Sequence, residues 1–176
     1  MRTPPSFTAE ELIRILGLQP MPLEGGFYRE TYRSPEQVSA DLPARYGSPR
    51  SLKTAIYYLL TPETFSAIHR VPGEEVFHFY MGDPVEMLML QPDEASHHPQ
   101  TTRIEIGPDL RTGQQLQVVV PGGVWQGTRL ITGGRWALMG TTMSPGFDPR
   151  DFELGEREGL LRDFPGAAEM IRVLTR

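Results

Sequence analysis

The chain contains no cysteine. Disulfides, cysteine-ligated zinc fingers and thiol nucleophiles are therefore excluded. It has no apolar run approaching the ~20 residues that a helix needs to cross a bilayer. No run of Lys or Arg stands out, and the formal net charge is −5. Nucleic acids and anionic membrane surfaces are bound through clustered cations, so neither is an expected partner. The opening residues, MRTPPSFTAEE, show no apolar core of the kind that marks a signal peptide, and the expected location is cytoplasmic. Internal repeats and low-complexity tracts are absent as well.

The 176 residues suit one domain, 1–176, with length for a sizeable core. Eighteen glycines and 17 prolines are dispersed. They punctuate short apolar or alternating runs, which favours an all-β sandwich or barrel over a helical fold. Near the start, Thr8 and Glu11 fit a capping box and Gly17 a helix stop, so AEELIRILGL reads as a short amphipathic helix. EGGFYRETYRS reads as a strand with Tyr28, Glu30 and Tyr32 on one side, and Pro35–Arg50 as a surface loop. LKTAIYYLL, VEMLMLQPD, Thr101–Ile106, Gln115–Val120, Val124–Ile131 and Trp136–Met143 supply further strands. Asp93–Gln100, with His97 and His98, reads as a solvated polar loop. In the tail, Glu156–Phe164 and Ala167–Leu174 read as short helices divided by Pro165-Gly166. Eight or nine strands with helices at both termini predict a double-sheet jelly roll.

The stretch FSAIHRVPGEEVFHFYMG, Phe65–Gly82, organises the rest. Its alternation predicts two strands closed into a hairpin by Arg70–Glu74, with His69 opposite Glu75, Ala67 opposite Phe77 and Phe65 opposite Phe79. Directly paired side chains in such a hairpin lie about 4.5–5.5 Å apart at Cβ. One face would then carry an imidazole beside a carboxylate, with Phe77 and Phe79 as aromatic walls. His69 and Glu75 read as a general base and its orienting carboxylate, or as an ion pair that holds a hairpin. Tyr28 and Glu24, beside Gly25-Gly26, are placed at the pocket mouth. His78 alternates to the other face. Trp125 and Trp136 read as core or dimer-interface residues.

At these residues the chain resembles the cupin superfamily. The first cupin motif, G-x5-H-x-H-x3–4-E-x6-G, is matched at His69, Glu75 and Gly82, and its second histidine falls on Val71. The second motif, G-x5-P-x-G-x2-H-x3-N, is matched at Pro121 and Gly123; Gln126 stands at its histidine and Leu130 at its asparagine. The blocks EGGFYRETYRS, AIYYLL, EEVFHFYMG, VPGGVWQG and MSPGFDPRDFELGEREGLL resemble the cupin-five branch nearly end to end. That branch usually has His-Pro before Glu-Gly-Gly, where this chain has Pro22-Leu23.

The resemblance implies a cupin double-stranded β-helix and a homodimer. It implies a small ligand in the barrel, carbohydrate-like, contacted by Phe77, Phe79, Gln126, Tyr28 and Glu24. As an enzyme, the implied class is an epimerase or isomerase in which His69 removes a proton next to a carbonyl and Glu75 orients it. The competing classes are a metal-dependent dioxygenase or isomerase and a non-catalytic storage or sensor module. A metal would fall to His69, Glu75 and Gln126. A neutral amide is a weak donor for divalent ions, so no cofactor is expected beyond a weakly held divalent ion.

Overall fold

The computed structural model describes residues 7–38, 42–92 and 100–176. The loop reading at Asp93–Gln100, with His97 and His98, falls almost wholly outside these residues. In chain order the elements are helix α1 (Ala9–Leu16), then strands β1 (Gln19–Pro20), β2 (Phe27–Arg33), β3 (Gln37–Val38), β4 (Arg50–Ser51), β5 (Thr54–Leu60), β6 (Phe65–Arg70) and β7 (Glu75–Gly82). They continue through β8 (Val85–Gln91), β9 (Gln100–Ile106), β10 (Gln117–Val120), β11 (Trp125–Leu130), β12 (Ala137–Met143) and β13 (Glu153–Leu154), and end in helices α2 (Arg157–Asp163) and α3 (Ala168–Val173). The Thr8 hydroxyl and the Glu11 carboxylate close the expected capping box on α1, and Gly17 ends it in the left-handed conformation.

Two sheets face each other. One has six strands in the order β1-β2-β5-β12-β7-β10; the other has five in the order β13-β6-β11-β8-β9; β3 and β4 form a separate ribbon. This is a jelly-roll arrangement, all-β with short helices at both ends. Tyr58, Leu60, Phe77, Val85, Met87, Val118, Ala137 and Met139 interlock between the sheets. Burial of each large apolar side chain among them contributes about 1.5–3 kcal/mol. Helices α2 and α3 cover the outside of the five-stranded sheet through Ile68, Leu88, Leu90, Leu160, Met170 and Ile171. Helix α1 packs Leu12 against Leu59, Trp136 and Leu138 on the outside of the other sheet.

The inward residues change character along the strands. On β5, Tyr58 and Leu60 are core while Thr54 and Ile56 border a cavity; on β12, Ala137 and Met139 are core while Thr141 and Met143 border it. One end of the sandwich is thus packed shut and the other end is hollow.

The expected hairpin at the centre does not form. Strand β6 pairs with β11 and β13, whereas β7 pairs with β12 and β10. The segment between them crosses from one sheet to the other. It is held by the Gly123 amide, which donates to the Val71 carbonyl at 2.8 Å. The predicted pairs Ala67–Phe77 and Phe65–Phe79 are therefore absent, and His69 and Glu75 come from different sheets, linked through Gln126 rather than along a ladder.

Two β-bulges also shift the expected alternation. In β6, His69 pairs with Gln126 but Ser66 pairs with Thr128, so three steps on β6 match two on β11. Ser66 and His69 consequently face inward together, and Phe65 turns out to pack with the C-terminal helices. In β2 the register shifts between Glu30 and Tyr32. Arg33, rather than Tyr32, then joins Tyr28 and Glu30 on the cavity side. A bulge inserts one residue and re-aims the side chains beyond it; here both bulges serve the same cavity.

Candidate functional site

The cavity occupies about 450 Å³ at the open end of the sandwich. Glu24 enters it from the turn between β1 and β2. Leu23, Gly25 and Gly26 of this turn have φ of 63°, 102° and 74°. A Cβ on Gly26 would lie 2.9 Å from the Leu59 carbonyl oxygen, and one on Gly25 would collide with that of Phe65. The two glycines let the turn lie flush on β5 and β6. The turn is then clamped: the Ala67 amide donates to the Glu24 carbonyl at 2.8 Å, and the Tyr58 hydroxyl donates to the Gly25 carbonyl at 2.9 Å. The Ser66 hydroxyl donates to Glu24 Oε1 at 2.8 Å, which the β6 bulge makes possible. Burial, then the nearby Glu24 charge, pushes the Tyr58 phenol well above its ordinary value, so it stays a hydroxyl donor.

His69 is 3% exposed. Its Nδ1–H donates to the Ala67 carbonyl at 2.8 Å, and its Nε2 accepts from the Gln126 amide nitrogen at 2.7 Å. That pair of partners is the pattern of the neutral, Nδ1-protonated ring. The Phe152 ring stacks on it with centroids 4.9 Å apart and planes 25° apart. Glu24 Oε2 lies 3.9 Å from His69 Nε2.

Glu75 opens β7 and is 8% exposed. Gln126 donates to its Oε2 at 3.3 Å from the same amide nitrogen that serves His69. Burial raises the Glu75 carboxyl from 4.5 to about 7; His69, when it carries a second proton, and the Thr141 hydroxyl pull it down, and Glu24 pushes it further up. Gln126 thus joins His69 and Glu75, which were expected to pair directly. Its Oε1 is buried without a partner, as is Thr128 Oγ1.

Of the seven expected residues, Glu24, Tyr28, His69 and Glu75 line the cavity. Gln126 lies behind His69 and Glu75 and holds both. Phe77 and Phe79 do not line it: they sit two and four residues farther along β7, among the core side chains. The error comes from the hairpin, which put them on the same exposed floor as Glu75. His78 lies on the outer face as expected, with Nε2 at 2.9 Å from the Thr142 hydroxyl. Trp125 packs with the C-terminal helices under the Arg70 guanidinium, and Trp136 donates its indole N–H to the Phe7 carbonyl.

Residues missed from the sequence form the roof and rim. Phe147, Pro149 and Phe152 come from the segment after β12. A buried ion pair anchors that segment: Arg50, 4% exposed, donates to both carboxylate oxygens of Asp151 and to the Tyr46 and Ser48 carbonyls. Arg33 donates to Glu30 through two nitrogens and to the Phe147 carbonyl at 3.0 Å. The only signal in the chain was the block GFDPRDFE, whose aromatics have no local pattern that would place them over His69.

Comparison with known proteins agrees with this architecture. Residues 10–155 match the family described as Cupin superfamily (DUF985). The chain belongs to the cupin superfamily. An uncharacterized protein of Saccharomyces cerevisiae is 30% identical over 159 residues, covering 84% of this chain and 77% of that protein. A hypothetical protein from Leishmania major superposes with TM-score 0.84 at 32% identity, covering 96% of this chain and 99% of that one. A dTDP sugar isomerase from Desulfovibrio desulfuricans shares the fold at TM-score 0.51 and 15% identity, over 73% of this chain and 83% of its own. No helix among the described residues is long and apolar enough to cross a membrane.

Cupins can hold metals, and the residues at this cupin's motif positions do not fit one. The His69 Nε2 lone pair accepts the Gln126 N–H, its Nδ1–H is tied to Ala67, and Val71 offers no donor. Among the described residues no three His, Asp or Glu side chains are grouped to hold an ion.

Proposed function

We propose that this cupin binds a small, polar, carbohydrate-like molecule in the cavity and moves a proton on it. The observation that carries the reading is a cavity of about 450 Å³ with Glu24, His69 and Glu75 on its floor and Met21, Ile56, Met143, Phe147 and Phe152 on its walls. Apolar walls with a few convergent polar groups are the usual make-up of small-molecule sites. A carboxyl near 7 is half ionised at neutral pH, so Glu75 can both accept and return a proton. His69, expected as the base, has both ring nitrogens engaged; it and Gln126 then position Glu75 and the ligand. The reaction class this supports is proton transfer at a carbon next to a carbonyl. The isomerase above lends fold-level analogy only.

A binding-only role is the second reading, favoured by those engaged His69 nitrogens. Native mass spectrometry of the purified chain should find a retained small molecule. Incubating that molecule with the protein in D₂O should place deuterium next to its carbonyl, and Glu75→Gln should stop the exchange. Retention without exchange would leave the binding module and sink the proton-transfer reading. We further propose a homodimer in the cytoplasm. Tyr32, Tyr80, Met81 and Val119 are exposed on the six-stranded sheet, and apolar surface of this kind is usually covered. Light scattering should give about twice the 19.8 kDa chain mass; a monomer at micromolar concentration would remove this part.

A further inference from the structure

The cavity holds more negative charge than its own side chains balance. Glu75 lines it, is 8% exposed, and has no ion-pair partner among the described residues. Its contacts are neutral donors, the Gln126 amide and the Thr141 hydroxyl. Glu24 is bonded by the Ser66 hydroxyl, and its Oε2 is 3.9 Å from an imidazole that already has the neutral hydrogen-bond pattern. The one guanidinium among the described residues on the wall, Arg33, is committed to Glu30 and the Phe147 carbonyl. Tyr58, behind Glu24, stays a neutral hydroxyl.

Buried carboxylates are costly without a counter-charge, and attraction between opposite charges grows as water is excluded. An anionic ligand would meet three carboxylates (Glu24, Glu30 and Glu75) against one guanidinium already paired. A ligand cation would supply what the protein omits. We infer that the molecule held in this cavity carries a protonated amine, seated against Glu24 and Glu75, and that the site rejects phosphorylated and carboxylated ligands. This rests on the small-molecule reading above and narrows it: on the carbohydrate side the ligand is an amino sugar rather than a nucleotide sugar.

The test uses the wild-type full chain near neutral pH at low salt, with two matched series. One is D-glucosamine, D-glucose and D-glucuronate; the other is benzylamine, benzyl alcohol and benzoate. Affinities come from calorimetry, with thermal shift as a second readout. The amine should bind about tenfold or more tighter than its neutral partner, and the acid should not bind. Glu24→Gln should weaken the amine more than the alcohol or the sugar; if that variant does not fold, the wild-type series decides alone. A preference for the amine confined to the benzyl series keeps the charge inference and removes the carbohydrate reading. A neutral or acidic member binding as tightly as its amine overturns the charge inference and leaves the cavity a binding site. Failure of both amines to bind at millimolar concentration overturns the inference, while the identity of any retained molecule still judges the earlier reading by itself.

Discussion

Replacing Glu75 by glutamine keeps the shape of the side chain and removes its ability to ionise. In the folded protein burial holds this carboxyl near 7, against 4.5 for an ordinary glutamate. A group whose folded value lies above its unfolded value binds its proton more tightly when folded. Its contribution to stability is therefore full below about pH 4.5, declines as the pH rises from 4.5 to about 7, and is lost above that. At about 1.36 kcal/mol per pH unit, the span from 4.5 to about 7 corresponds to about 3 kcal/mol. In Glu75→Gln that decline should vanish. Near pH 4.5 the two proteins should melt together; by pH 8 the variant should be more stable by about 3 kcal/mol, or ~6–12 °C for a chain of this size. The assay is thermal denaturation monitored by circular dichroism across that range, read as the difference between the proteins so that other titrating carboxylates cancel. Parallel curves, with no growth in the difference as the pH rises, would refute the argument that burial dominates at Glu75.

Arg50→Met leaves Asp151 buried without its partner and should cost about 3–5 kcal/mol in urea denaturation; adding Asp151→Leu should recover part of it, and a loss below about 1 kcal/mol would mean that the pair does not anchor the roof. Phe152→Ala should uncover His69 and speed its acylation by diethyl pyrocarbonate several-fold, resolved by peptide mapping because the chain has four histidines; an unchanged rate would show that Phe152 is not the cover. Protein purified without added metal should carry well under one equivalent of iron, zinc, nickel or manganese by elemental analysis. A stoichiometric ion bound through His69 and Glu75 would contradict the donor chemistry of the site.

Several features of this protein arise from local sequence alone. Alternating runs bounded by Gly and Pro set where the strands lie, because side-chain direction in a strand has a period of two. Thr8, Glu11 and Gly17 set the bounds of α1, because a cap needs only neighbours three or four residues away. Val71 and Gln126 in place of histidines set the limits on metal binding, because ligand chemistry belongs to the side chain itself. The tertiary structure decided the rest. Both partners in a predicted hairpin can be strands and still belong to different sheets, so the neighbours of His69 and Glu75 were not legible. A bulge resets the alternation by one residue without leaving a compositional mark, which is why Ser66 and Arg33 were not among the expected site residues. Glu24 depends on two glycines fitting under the Leu59 and Phe65 carbonyls, and Phe152 reaches His69 because the Arg50–Asp151 pair, 101 residues apart in the chain, and the pairing of β13 with β6 hold this segment over the cavity. The raised Glu75 value belongs to the same class: it arises from exclusion of water by residues from several separate strands and loops, and no stretch of the chain read by itself contains that exclusion.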